Sequence, residues 1–261
     1  MIRSMYSGIS GMVNHQTRMD VVSNNIANVN TTGFKAGRAS FKDALYMALD
    51  SSGQEQGSFQ VGTGIGVSGI SNDFAQGPLE ATGRDLDLAI SGPGFFGVRE
   101  DDSDDLRKFT RDGTLFMDQE GHLVTSSGLK LVNRDEEVII IELDDDQSVD
   151  DITISDNGEI SIAGESEDEF IGLFRFPDKW ALTKVGDNLY LENDNTGEHL
   201  VRNEDNANSF GAIHSGYLEM SNINLAQELT NLIITQRGYQ ANTKVFSTAD
   251  DVLREIIELK R

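Results

Sequence analysis

Glycine is spread very unevenly along this chain. Residues 1–30 hold two, Gly8 and Gly11, and residues 217–261 hold one, Gly238. The other 23 of the 26 lie between them. A glycine inside a helix costs about 1 kcal/mol relative to alanine, so the ends are suited to long helices and the middle to strands and turns. The apolar spacing agrees. Ile2, Met5, Ile9, Met12, Gln16, Met19, Ser23 and Ile26 alternate three and four apart, a heptad stripe that is apolar except at Gln16 and Ser23. Leu225, Leu229, Leu232, Gln236, Tyr239, Thr243, Phe246, Asp250, Leu253 and Ile257 share a second seam, and Asn224 followed by Gln227 suits a helix start. Ile233, Val245, Ala249, Val252 and Ile256 widen its apolar face.

Length turns this into a constraint. A helix from Leu225 to Leu259 is about 52 Å long at 1.5 Å per residue. A compact globule of this size is about 45–50 Å across. The helix therefore crosses the whole body or projects from it, and an apolar face that projects must be covered. A hairpin of the two terminal helices closed on itself is one solution. Packing of the paired helices against other copies is the other, and the breadth of the C-terminal apolar face favours it.

Between the helices, residues 31–77 are rich in Gly, Ser and Thr and read as an extended connecting segment with a short helical piece at residues 41–49. From Leu86 onward, short apolar runs recur between turn signals. Asp118-Gln119-Glu120-Gly121 and Asp156-Asn157-Gly158 each separate two such runs, and residues 138–143 form a continuous β-branched stretch. This spacing predicts an antiparallel β-rich domain. The expected fold is α+β: N-terminal helix 1–30, connecting segment 31–77, β-rich domain 78–215 and C-terminal helix 216–261.

The net charge of −23 is concentrated. Residues 100–205 carry 30 Asp and Glu against 9 Lys and Arg. Such a chain is a poor match for nucleic acid, and a solvated, self-repelling surface accounts for the charge. Calcium is the sharper reading for Asp101, Asp102, Asp104 and Asp105, or for Asp144, Asp145 and Asp146. Neither run, however, supplies both the Gly at the sixth and the Glu at the twelfth position of an EF-hand loop. Adaptation to high salt would leave the same composition. With no cysteine, disulfides, thiolate metal sites and thiol catalysis are excluded. His15, His122, His199 and His214 show no zinc-hydrolase spacing. No apolar run approaches the roughly 20 residues of a membrane span. Residues 1–19 lack the apolar core of a secretory signal.

Gly64-x-Gly66-x-x-Gly69 with Asp87 matches the dinucleotide fingerprint in letters only. The chain reaches Gly77-Pro78 too soon for a helix to present its N-terminus to a pyrophosphate. No nucleophile elbow or phosphate loop occurs, and no catalytic constellation points to an enzyme. The lone Trp180 reads as core or domain rim. The amides are harder to absorb. Asn24, Asn25, Asn28 and Asn30 fall within seven residues and are poor helix material. Gly33 permits a left-handed turn, and Phe34 can anchor the exit. One helix cap needs one such residue, so the surplus points to contacts with another chain. Gln236, Arg237, Gly238, Tyr239, Gln240 and Asn242 form a mirror feature within an apolar helix. Close backbone approach would explain Gly238 there.

These residues carry a resemblance. Asn24-Asn25-Ile26-Ala27-Asn28 with Thr31 and Gly33-Phe34-Lys35 resembles the N-terminal signature of the bacterial flagellar rod and hook proteins, as does the opening Tyr6-Ser7-Gly8-Ile9-Ser10-Gly11-Met12. So do residues 216–225 and 236–244, and in the middle Thr82-Gly83-Arg84-Asp85-Leu86-Asp87-Leu88. The resemblance implies an axial structural subunit with no cofactor and no enzymatic activity. Its termini would fold together as a coiled-coil inner domain lining a channel, and its β domain would face outward. It implies a homopolymer that meets adjacent rod, hook and junction proteins and is exported unfolded, without a cleaved signal, through the flagellar type III apparatus. It also assigns assembly to the two stripes and the two amide-rich segments. Within the family, the opening and the closing Leu253-Arg254-Glu255-Ile256-Ile257-Glu258-Leu259-Lys260-Arg261 lean toward hook, with the distal rod as the alternative. A soluble acidic calcium-binding β protein is the rival from another class.

Overall fold

The computed structural model describes residues 2–49, 59–100, 108–141, 152–162 and 165–259. They form two compact units. The first comprises residues 1–27, 36–73 and 223–261, and the second residues 28–35 and 74–222. The chain is α+β, with a helix at each end and antiparallel strands between.

In the first unit, α1 (Ile2–Ala27) packs along α2 (Leu225–Leu259) and over a two-stranded ribbon of β1 (Gly37–Asp43) and β4 (Ile65–Asn72). A hairpin of β2 (Tyr46–Leu49) and β3 (Phe59–Gly62) completes it. As the spacing suggested, Asn224 opens α2: its Oδ1 accepts the Gln227 N–H at 3.2 Å. The helical piece expected at residues 41–49 is instead strand. Phe41, Leu45 and Leu49 stand four apart and imitate a helix face. The backbone, however, finds its partners across the ribbon, with Phe41 opposite Val67 and Met47 opposite Val61. Gly66 and Gly69 of the fingerprint-like motif lie within β4, paired with Lys42 and Ser40, so no helix N-terminus follows them.

The second unit is built on a nine-stranded antiparallel sheet. Its central path joins β16 (Thr183–Gly186), β17 (Leu189–Leu191), β8 (Lys108–Thr110), β7 (Phe95–Arg99), β11 (Lys130–Leu131), β10 (Leu123–Thr125) and β9 (Leu115–Met117). Beside β7 lies β15 (Leu173–Arg175), which also pairs β18 (Leu200–Val201). A three-stranded sheet of β12 (Ile152–Ile154), β13 (Glu159–Ile162) and β14 (Glu165–Phe170) packs nearby. Two short ladders join distant chain: β5 (Leu79–Ala81) with β20 (Tyr217–Glu219), and β6 (Leu88–Ser91) with β19 (Ala212–Ser215). The turns at residues 118–121 and 156–158 connect β9 to β10 and β12 to β13. The β-branched run at 138–141 makes only isolated bridges, Val138 to Val132 and Ile140 to His122, and Glu142 and Leu143 lie outside the described residues.

One core cluster gathers aliphatic residues such as Leu88, Ile90, Leu115, Leu123, Ile160 and Ile171. The other is aromatic: Phe74, Phe95, Phe109, Phe174, Phe176 and Tyr190. Phe109 meets Phe176 edge-on at 4.7 Å between centroids, a geometry aromatic quadrupoles favour.

Candidate assembly interface

The two helices meet through small residues. A Cβ on Gly11 would stand 2.6 Å from the Asn242 side-chain oxygen, and one on Gly238 would stand 2.6 Å from the His15 ring. Close approach is therefore the reason for Gly238. Asn242 Nδ2 donates to the Gly238 carbonyl at 2.9 Å, and Thr243 Oγ1 to Met12 Sδ at 3.3 Å. The buried positions of α1 are Gly8, Gly11, Asn14, Val22 and Asn25, and those of α2 are Thr235 and Ala249. At Gly8, Gly11 and Gly238, where the helices touch, the seam thus runs one residue away from the apolar stripes. Burial and the neighbouring Arg18 charge push the His15 imidazole below its usual value, and its Nδ1 is buried without a hydrogen-bond partner.

The stripes remain open to different degrees. On α1, Ile9 is exposed, and Met5, Met12, Met19 and Ile26 are half-buried, while Tyr6 and Val13 add exposed apolar area beyond the stripe. On α2, Leu225, Leu229, Tyr239 and Ile257 are exposed, and Leu232, Phe246 and Leu253 are half-buried. Ile233, Ile234, Val245, Val252 and Ile256 are exposed as well. Gln236 and Arg237 are exposed, with Arg237 Nη1 donating to Gln240 Oε1 at 3.2 Å. A cleft of about 260 Å³ lies between Arg3 and Tyr6 of α1 and Met47, Val61, Gly62 and Thr63 of the hairpin. Leu45, Tyr46, Met47 and Val61 are all exposed. No pattern of spacing marked these hairpin residues, because only tertiary structure reveals that they lack cover.

The amide-rich segment divides its work. Asn25 Nδ2 donates to the Gly37 carbonyl, and its Oδ1 accepts the Gly37 N–H, both at 2.9 Å. For Asn25, the partner expected on another chain is thus backbone of this one. Asn14 ties α1 to β4 in the same manner, donating to the Ile65 carbonyl at 2.9 Å. In the second unit, Thr31 Oγ1 donates to Asn28 Oδ1 at 3.2 Å. Gly33 sits at φ 66° and donates its N–H to the Glu219 carbonyl at 2.7 Å. Phe34 is buried under the Lys184 ammonium, 3.6 Å above its ring, and burial pushes Lys184 down to about 8.

Lys35 is fully buried rather than offered to a partner. Its Nζ donates to Glu219 Oε1 at 2.6 Å and to the Ala75 carbonyl at 2.9 Å. Glu219 also accepts the Gly77 N–H at 2.8 Å, and Arg111 Nη1 donates to its Oε2 at 3.0 Å. Burial lowers the Arg111 value, against the pull of Glu219. Two cations share one carboxylate here, with all three side chains at most 5% exposed. The resemblance covered Lys35 and, within residues 216–225, Glu219, but gave no sign that they pair, and it did not mark Arg111.

The aspartates considered for calcium lie outside the described residues. Among the described residues, no group of three or more His, Asp or Glu is arranged to hold a metal ion. No described helix is long and apolar enough to cross a membrane.

Three family models match the chain. "Flagella basal body rod protein" covers residues 5–35, "Flagellar hook protein FlgE/F/G D1 domain" residues 89–162, and "Flagellar basal body rod FlgEFG protein C-terminal" residues 214–259. The flagellar basal-body rod protein FlgG of Bacillus subtilis is 40% identical, with 100% of both chains covered. The chain belongs to the flagellar rod and hook axial protein family. This family is structural, not enzymatic. The FlgG rod protein of Borreliella burgdorferi is 32% identical, again with 100% of both chains covered. The FlgF rod protein of Caulobacter vibrioides is 33% identical, covering 99% of this chain and 98% of its own. These full-length relatives are named rod proteins and do not support the lean toward hook drawn from the two termini.

Proposed function

We propose that this chain is a subunit of the distal flagellar rod and polymerises into a hollow helical tube that carries torque from motor to filament. In this reading the paired terminal helices act as a coiled-coil inner domain, packing against neighbouring copies around the bore, and the acidic β-rich unit faces outward. The stripes on α1 and α2, with residues 236–242, form the contacts. The partners are other copies, adjacent rod and hook proteins, and the flagellar type III export apparatus. The observation that carries the reading is α2 itself. Over 35 residues it buries only Thr235 and Ala249, which leaves an apolar face that another surface must cover. Full-length likeness to rod proteins supports the rod over the hook.

Immunogold electron microscopy of hook–basal bodies isolated from the source cells tests this. Label on the straight segment within the envelope is the expected result. Label on the curved external segment would assign the chain to the hook, and label on neither would overturn the axial role.

A further inference from the structure

The β-rich unit contains a groove of about 350 Å³ whose two kinds of wall do not suit the rest of its surface. One wall is aromatic. Trp180, 59% exposed, meets Phe74 edge-on at 5.9 Å, Phe74 meets Phe95 at 5.7 Å, and Phe95 meets Phe176 at 5.9 Å. The other wall is cationic, supplied by Arg111, Arg175 and Lys179. No Asp or Glu lines the groove among the described residues. Three of the nine Lys and Arg in residues 100–205 therefore converge on one concavity of a strongly acidic stretch.

Arg111 links this groove to the buried charge cluster. Lys35 and Arg111 both pair with the carboxylate of Glu219. Arg111 Nε is buried and has no hydrogen-bond partner. Lys179 Nζ lies 5.4 Å from the centre of the Trp180 ring, and the adjacent Asp178 accepts the Trp180 N–H at 3.0 Å. Exposed rings beside cations suit a segment that brings carboxylates and aliphatic groups together.

We propose that this groove receives the acidic segment 142–151 of a neighbouring copy of the chain. That segment carries six carboxylates, Glu142, Asp144, Asp145, Asp146, Asp150 and Asp151, and no cation. Leu143 and Val149 supply the aliphatic groups that would cover the aromatic wall. Of the other acidic runs, residues 100–107 contain Arg107, which the cationic wall would repel, and Glu165, Glu167, Asp168 and Glu169 lie in β14, which is paired with β13. The proposal rests on copies assembling side by side, but its test does not need a polymer.

Trp180 is the only tryptophan, so its fluorescence reports the groove directly. A synthetic peptide of residues 142–151 is titrated into the full chain, with calorimetry on the same mixtures. A saturable change is expected that weakens about tenfold or more as salt screens the contact. The double variant Arg175→Ala/Lys179→Ala should bind about tenfold more weakly or worse, and a peptide with every carboxylate replaced by its amide should not bind. Absence of binding by both readouts, or equal affinity for the double variant, would overturn the proposal. So would inorganic phosphate producing the same response at the same concentration, which would mean a general anion site. Peptide binding seen only after the chain's own 142–151 is replaced by a Gly-Ser linker would assign the groove to its own segment and overturn the neighbouring-copy reading. None of these outcomes depends on whether the chain builds rod, hook or neither.

Discussion

Glu219 sits where three separated stretches of chain meet, accepting from Lys35, Gly77 and Arg111. Charges taken this far from water gain little net stability from pairing, but removing one partner leaves the others without compensation. Glu219→Gln should therefore destabilise the β-rich unit by about 3–5 kcal/mol, read as a lower urea midpoint for Trp180 fluorescence. An unchanged midpoint would mean that water or a shifted proton already relieves the cluster. At this scale the sequence was legible in part. Lys35 stood out within its motif. Its partner did not, because the chain offers 44 carboxylates and Glu219 lies 184 residues away. Asn25 likewise stood out as an amide in excess, whereas its use, a two-way bond with the Gly37 backbone, depends on a ribbon that spacing did not indicate.

The helices were the most legible elements, because scarcity of glycine and heptad spacing act within one stretch of chain. The seam between them was less so. Heptad reasoning looks for apolar rows, but these helices approach through Gly8, Gly11 and Gly238, one position away from those rows. The strands at residues 37–49 were missed for a related reason, since their partners lie across the ribbon and hairpin rather than along the chain. His15 lies in this seam and gives it a pH dependence. Its folded value is lowered, whereas the unfolded imidazole takes up its proton near pH 6.5. The unfolded state thus binds more protons just below that pH, so helix pairing is at full strength above it and weakens as pH falls through it. Between pH 7 and pH 5, amide exchange in α1 and α2, corrected for intrinsic rates, should accelerate in the natural chain more than in His15→Gln. Equal acceleration in both would remove His15 as the cause.

For the whole molecule, the expectation is that the two units answer differently to loss of the C-terminus. A chain ending before Leu253 loses only the last turns of α2, where Ile256, Ile257 and Leu259 are exposed. Its β-rich unit should unfold at an unchanged urea midpoint, within about 0.5 kcal/mol, while electron microscopy finds no polymers. Filaments of normal length from this variant would sink the assembly role of the last turns. The α+β division was legible because composition changes along the chain. The pairing of β5 with β20 and of β6 with β19 was not, since strands of three or four residues carry too little pattern to name partners more than 100 residues away.

Those pairings also set an order in time. Within one unit α1 waits for α2, and within the other β5 waits for β20, β6 for β19 and Lys35 for Glu219. In a chain made amino end first, α1 finds the ribbon of β1 and β4 early, whereas β5, β6 and the Lys35 ammonium wait for residues beyond 211. Contacts of such long range close slowly, so the local hairpins form first and the two ladders and the buried ion pair lock the unit last.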